Sequence, residues 1–215
     1  FGFRGVEFGN WVNNADRQMN VNEAYDALMD LASVIGVSPK ALSLGGKLGF
    51  AFGARGGGKA SAHYEPGKVV INLTKTKGAG SLAHEWWHAM DNYFSKVRGL
   101  ENAFITENPR HRMNTQTGKP DLSVRLEVIA GFKKVMDAIK ASKLQARSAV
   151  LDAARSKPYW STSVEMSARA FENFVIMKLA EQGIQNDYLA NFKETGEWIS
   201  TTGGAIDALK NYPYP

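Results

Sequence analysis

The five residues His84-Glu85-Trp86-Trp87-His88 constrain the fold more than any other stretch of the chain. Histidines four positions apart share a face when the backbone between them is helical, where the separation is about one turn, roughly 6 Å. Two imidazoles so placed can reach a single metal ion at about 2.0–2.1 Å, with Glu85 beside the ion rather than on it. The surrounding run from Leu82 to Val97 has the matching period. Leu82, Trp86, Met90, Tyr93 and Val97 fall on one side, and Gly78, Gly80 and the N-cap residue type Ser81 precede them. The fold must therefore turn the histidine face of this helix toward a cleft while the two tryptophans lock it into the core.

The elements around that helix read as follows. Val21, Ala24, Tyr25, Leu28, Leu31 and Ala32 form an apolar stripe over Asn20 to Ile35, which predicts a packing helix closed by Gly36 and Pro39. The Gly-rich run from Gly45 to Gly58, with Leu48, Phe50 and Phe52, predicts a short strand turning into a loop. His63-Tyr64 and Val69-Val70-Ile71-Asn72-Leu73 flank Glu65-Pro66-Gly67 as the arms of a hairpin. A polar loop is expected from Arg98 to Pro120, then a helix or helical pair from Asp121 to about Arg155, ended by Pro158. A last helix, from Thr162 to about Gln182, should bury Met166, Ala170, Phe174 and Met177 and stop at Gly183. No internal repeat or low-complexity tract interrupts this order.

Composition excludes several classes. With 215 residues, 44 % of them apolar, the chain can bury one sizeable core, so a single domain over residues 1–215 is expected. No stretch approaches the roughly 20 apolar residues of a membrane span, and no leader precedes the first element. The opening Phe1 and the closing Tyr212-Pro213-Tyr214-Pro215 read as the ends of a piece cut from a longer protein. The chain has no cysteine, which excludes disulfides and thiolate metal cages, leaves His, Asp and Glu as strong ligands, and fits a cytoplasmic location. The net charge of +5 permits weak nucleic-acid contact through a basic surface, but Lys and Arg are spread along the chain, so a solvated surface is the better reading.

A catalytic zinc keeps three protein ligands and one open position, so a third ligand must join His84 and His88. His63, His111, Glu165 and Glu172 are the candidates. Asp91, seven residues beyond His84 on the same face, could orient a ligand imidazole or stand as a solvated helix carboxylate. Glu165 has an ordinary explanation too, since Thr162-Ser163-Val164-Glu165 fits a capping box and Arg169 follows at i+4. Glu172 lies two turns on, about 10 Å away, so both glutamates cannot hold one ion. Gly53 to Ala60 nearly fits a phosphate-binding loop, but Ala60 lacks the hydroxyl such a loop needs. His63 could flank the cleft on an edge strand, although an exposed histidine is the simpler reading, and His111 sits in the polar loop with no role beyond solvation.

His84-Glu85-x-x-His88-Ala89-x-Asp91, followed by Tyr159 and Glu165-Met166-Ser167-Ala168-Arg169-Ala170-Phe171, resembles the gluzincin metallopeptidases. The resemblance implies Glu165 as third zinc ligand, Glu85 as general base and Tyr159 as donor to the oxyanion, with peptides or proteins as substrates. Where that pattern often has an acidic residue four positions after the ligand glutamate, this chain has Arg169. More widely, the chain is similar to the zincin-like metallopeptidase domains of large polyvalent proteins from phages and conjugative elements. That similarity runs from Phe3-Arg4-Gly5-Val6-Glu7-Phe8-Gly9 through Phe52-Gly53-Ala54-Arg55-Gly56, Ala62-His63-Tyr64 and Ile71-Asn72-Leu73-Thr74 to Tyr159-Trp160-Ser161. It implies an α+β zincin fold, a small twisted sheet with the active-site helix and further packing helices. It also implies a multidomain parent from a mobile element, delivered into a recipient bacterial cell. Two rival functions stand beside the peptidase: a zinc-bearing interaction module without catalysis, and a protease recruited to nucleic acid.

Overall fold

The computed structural model describes residues 1–10, 13–54, 62–73 and 80–190. These form a mixed α+β structure with five α-helices and a four-stranded open sheet among the described residues. The described residues fall into two compact units, one built from Phe1–Tyr93 and residues 171–190, the other from Phe94–Ala170.

The first unit holds the sheet. Strands β1 (Val6–Phe8), β2 (Gly49–Phe52), β3 (Ala62–Glu65) and β4 (Val70–Leu73) lie in the order β1-β2-β4-β3. β1 and β4 run parallel to β2, while β3 pairs antiparallel with β4. Every residue of β2 and β4 is buried, which explains why Asn72 is the one polar side chain in the two strands, whereas β3 alternates buried and half-buried residues as an edge strand does. The expected hairpin is present, but its second arm begins at Val70. Val69 takes a left-handed conformation, φ 53°, and its N–H closes the turn on Glu65 at 2.8 Å. β1 was not anticipated: three residues carry too little alternation to be seen, and their register with β2 comes from a partner more than forty positions away.

Helix α1 (Asn14–Ile35) buries Ala24, Ala27, Leu28, Leu31 and Ala32. It starts six residues before the stripe does, because the Asn13 side chain caps it by accepting from Asp16 N–H at 2.8 Å. Its first turns face water and so carry no apolar period. Val21 and Tyr25, counted in the stripe, are exposed on the neighbouring face. Gly36 ends the helix at φ 68°, returning its N–H to Ala32 and Ser33, a conformation costly for a residue with a side chain.

The histidine pair lies on α2 (Leu82–Val97), whose span matches the periodicity. Trp86 and Trp87 are buried, as expected, and Trp86 Nε1 donates to Leu42 O at 3.0 Å. The Tyr64 hydroxyl donates to Asn92 Oδ1 at 2.9 Å, tying β3 to α2. Gly80 and Ala83 N–H donate to the Tyr188 and Leu189 carbonyls, both at 2.9 Å, so a distant backbone segment satisfies donors at the start of α2.

In the second unit the polar stretch after α2 is organised around Arg98. This buried guanidinium donates from Nη1 to the Asn108 and Arg110 carbonyls at 2.7 and 2.9 Å. The stretch is thus more ordered than a plain surface loop, and Ile105 within it is fully buried. The expected helical pair is α3 (Leu126–Ala141) and α4 (Leu144–Asp152). Met136, Ile139 and Met166 make a small core with Val135, Leu144 and Ala170 around it.

Helix α5 (Ser163–Glu181) begins in this unit and continues into the first. Its ends fall within a residue of the expected ones, but its apolar face does not. Phe174 and Met177 are exposed, while Val175 and Leu179 are buried with Met166 and Ala168. The helix carries apolar residues on two adjoining stripes, and packing selects the one that sequence spacing alone cannot distinguish.

Candidate metal centre

α2 turns His84 and His88 the same way. Their Nε2 atoms lie 3.0 Å apart, with the ring planes at 85°. Two imidazole nitrogens that share one point in this manner can be satisfied by a proton on one of them or by an ion that accepts from both. The edge of a tetrahedron with bonds of about 2.0–2.1 Å is about 3.3 Å, so little movement separates this geometry from coordination. His84 is buried and His88 half-buried.

Among the described residues His84, His88 and Glu165 form a group whose ligand atoms all lie within 4.8 Å of one another. The donor set, two nitrogens and one carboxylate oxygen, is one that zinc accepts at a catalytic site. Of the other candidates, His63 Nε2 lies 3.4 Å from Glu65 Oε1 on β3, and His111 Nδ1 lies 3.0 Å from the Asp121 carbonyl. Of the near-fit phosphate loop only Gly53 and Ala54 are among the described residues.

Glu165 sits in the first turn of α5. Its N–H bonds to Thr162 Oγ1 at 3.3 Å, and its Oε1 forms an ion pair with Arg169 Nη2 at 2.6 Å. The foreseen ion pair is present, with one of the two bonds of the foreseen capping box; the Thr162 N–H that the other would use donates to Tyr159 O at 3.2 Å. Neither excludes ligation, because an ionised carboxylate has two oxygens and about four acceptor sites. The Arg169 guanidinium in turn lies 4.3 Å above the Trp160 ring. Glu165 is thereby held by its own helix and by an arginine that is itself stacked.

Tyr159 stands next to this pair. Burial of its phenol, reinforced by the Glu165 charge and opposed by Arg169, pushes its proton loss well above the ordinary value. The residue as a whole is 38 % exposed, while its hydroxyl lies against Glu165 and Arg169. At neutral pH it is a hydrogen-bond donor.

What places Tyr159 leaves little trace in the sequence. Asp152, the last residue of α4, accepts three successive backbone N–H groups, from Tyr159 and Trp160 at 3.0 Å each and Ser161 at 2.9 Å. The Ser161 hydroxyl adds a fourth bond at 2.7 Å. Burial works against ionisation of Asp152, but these donors outweigh it and hold the carboxyl below its ordinary 3.8. Because the folded value is the lower one, the unfolded chain binds more protons between the two. This clamp therefore adds stability above pH 3.8 and loses it as pH falls through the folded value. Asp152→Asn should cost about 1–2 kcal/mol at pH 7, the scale of a charge-assisted bond discounted for nearby solvent. In thermal melts from pH 7 to 3 the wild-type chain should lose stability faster than the variant; parallel curves would remove this role.

Two more acids belong to the candidate set. Asp91 is fully buried on α2 and so is not a solvated carboxylate. Glu172, on α5, places Oε2 3.5 Å from His84 Nδ1. Glu85, the residue between the metal candidates' first ring and the tryptophans, is buried on α2, with its N–H bonded to Ser81 O at 3.0 Å.

No helix among the described residues is long and apolar enough to cross a membrane. Comparison of the chain with curated proteins and with solved structures finds no match. Residues 151–215 match the family described as large polyvalent protein-associated domain 1. The matched stretch takes in Asp152, Tyr159, Glu165, Arg169 and Glu172 but neither histidine, and it associates the chain with large polyvalent proteins, hence with other domains of a larger parent chain.

Proposed function

We propose that this chain is a zinc-dependent metallopeptidase of zincin-like, gluzincin-type fold. Two observations support the reading: His84 Nε2 and His88 Nε2 lie 3.0 Å apart, and ligand atoms of His84, His88 and Glu165 all lie within 4.8 Å of one another. His84, His88 and Glu165 would hold the ion. Bound there, zinc supplies Lewis acidity toward a carbonyl oxygen and makes a water acidic enough to lose a proton near neutral pH.

The remaining work belongs to the chain's own side chains. Glu85 follows His84 on α2, so its carboxylate can accept a proton from the attacking water and return it to the departing amine. Tyr159, kept protonated by burial, can donate to the oxygen on which negative charge grows. Arg169 fixes the Glu165 carboxylate, and the tryptophans of the motif hold α2 against Leu42 and Phe171. The substrate class is protein or peptide. The absence of cysteine fits a reducing compartment, which on this reading is the cytoplasm of a cell that receives mobile DNA.

Digestion of a peptide library by the zinc-loaded chain tests the proposal. Cleavage should stop on chelation and return when zinc is restored; cleavage indifferent to chelator, or none at any zinc level, would contradict it.

A further inference from the structure

Glu172 was a second candidate for third ligand, and its position argues for a different task. We infer that Glu172 is the positioning residue that orients His84 toward the metal, an inference that rests on the zinc-site reading above. Its Oε2 lies 3.5 Å from His84 Nδ1, whereas the ring nitrogen directed at His88 is Nε2. A carboxylate can only accept, so when this contact tightens to a hydrogen bond it holds the ring proton on Nδ1 and leaves the Nε2 lone pair for the ion. An imidazole whose two nitrogens have these separate partners is fixed in both tautomer and rotation.

The sequence allows this division of labour. Glu165 and Glu172 are seven residues apart on one helix, two turns and about 10 Å along the same face. At that separation the two carboxylates cannot share one ion, and Glu172 is the one that meets His84 Nδ1. The position four residues after Glu165 holds Arg169, which serves Glu165 itself, so an acid for the histidine has to come from farther along. The ring of Phe171, beside Glu172, lies tilted with its centroid 4.9 Å from that of Trp87 and 5.9 Å from that of Trp86, so aromatic packing joins α5 to α2 next to the Glu172–His84 contact. The 3.5 Å distance is long for a hydrogen bond, as such contacts often are before the site is loaded.

The test is zinc affinity of the whole chain, by competition with a chromophoric chelator, together with the visible spectrum of the cobalt(II) form. Glu172→Ala should bind zinc about 10–100-fold more weakly, the usual consequence of losing an outer hydrogen bond to a ligand histidine. Glu172→Gln, which keeps an acceptor and loses the charge, should fall between it and wild type. Both should keep the wild-type cobalt spectrum, because the ligand set is unchanged, and both should melt like wild type without metal. Glu165→Gln should alter the spectrum. Zinc affinity in Glu172→Ala equal to wild type would overturn the inference and leave the metal site standing. A cobalt spectrum altered as in Glu165→Gln would overturn it by making Glu172 a ligand. A wild-type chain that binds no zinc would instead remove the reading on which the inference rests.

Discussion

Glu85→Gln should lower peptide hydrolysis by about 10²–10⁴-fold, the range for losing a positioned general base, while zinc stays bound and the fold stays intact. Gln has the shape of Glu, so the buried site on α2 is filled as before. What disappears is the capacity to take a proton from water and give it to the amine. The loss should fall on kcat with KM little changed, since the interaction matters only as the transition state forms. Steady-state kinetics on a cleaved peptide, with zinc content measured on the same sample, decides the matter; wild-type turnover in the variant would remove Glu85 from this role.

Tyr159→Phe comes next in size. Deleting one donor to an oxyanion costs about 10²–10³-fold in kcat. Its phenol is held protonated first by burial and then by the Glu165 charge, so the donor persists beyond the pH at which an ordinary tyrosine ionises. The wild-type rate should therefore show no decline attributable to Tyr159 near pH 10.0, the usual tyrosine value. Unchanged kcat in the variant would confine the hydroxyl to its contacts with Glu165 and Arg169. Because Asp152 holds the Tyr159 backbone through its N–H, the ring of the variant stays in position, and the comparison isolates the hydroxyl.

How much of this was legible beforehand depends on the range of the forces involved. α2 could be read to its terminal residues because its apolar period is strong and its neighbours are glycines. The span of α5 was legible as well, yet its buried face was misassigned. Phe174 and Met177 are as apolar as Val175 and Leu179, and only tertiary packing decides between adjacent stripes. β1 escaped because a three-residue parallel strand owes its existence to β2, not to its own pattern.

The candidate site divides along the same line. The histidine spacing is local and therefore visible, as is the cap and ion pair of Glu165. The pairing of Glu172 with His84 joins residues 84 and 172, and no local pattern announces it. The Asp152 clamp was equally hidden. Its donors are backbone N–H groups seven to nine residues away, which leave almost no signature in side-chain identity beyond Ser161.

Crystals of the zinc-loaded chain, measured on either side of the zinc absorption edge, test the central claim most directly. The account predicts one anomalous peak at about 2.0–2.2 Å from His84 Nε2, His88 Nε2 and a Glu165 oxygen, with Glu172 at Nδ1 of His84 and off the metal. A peak elsewhere, or zinc-loaded crystals in which the two rings meet only each other, would contradict it.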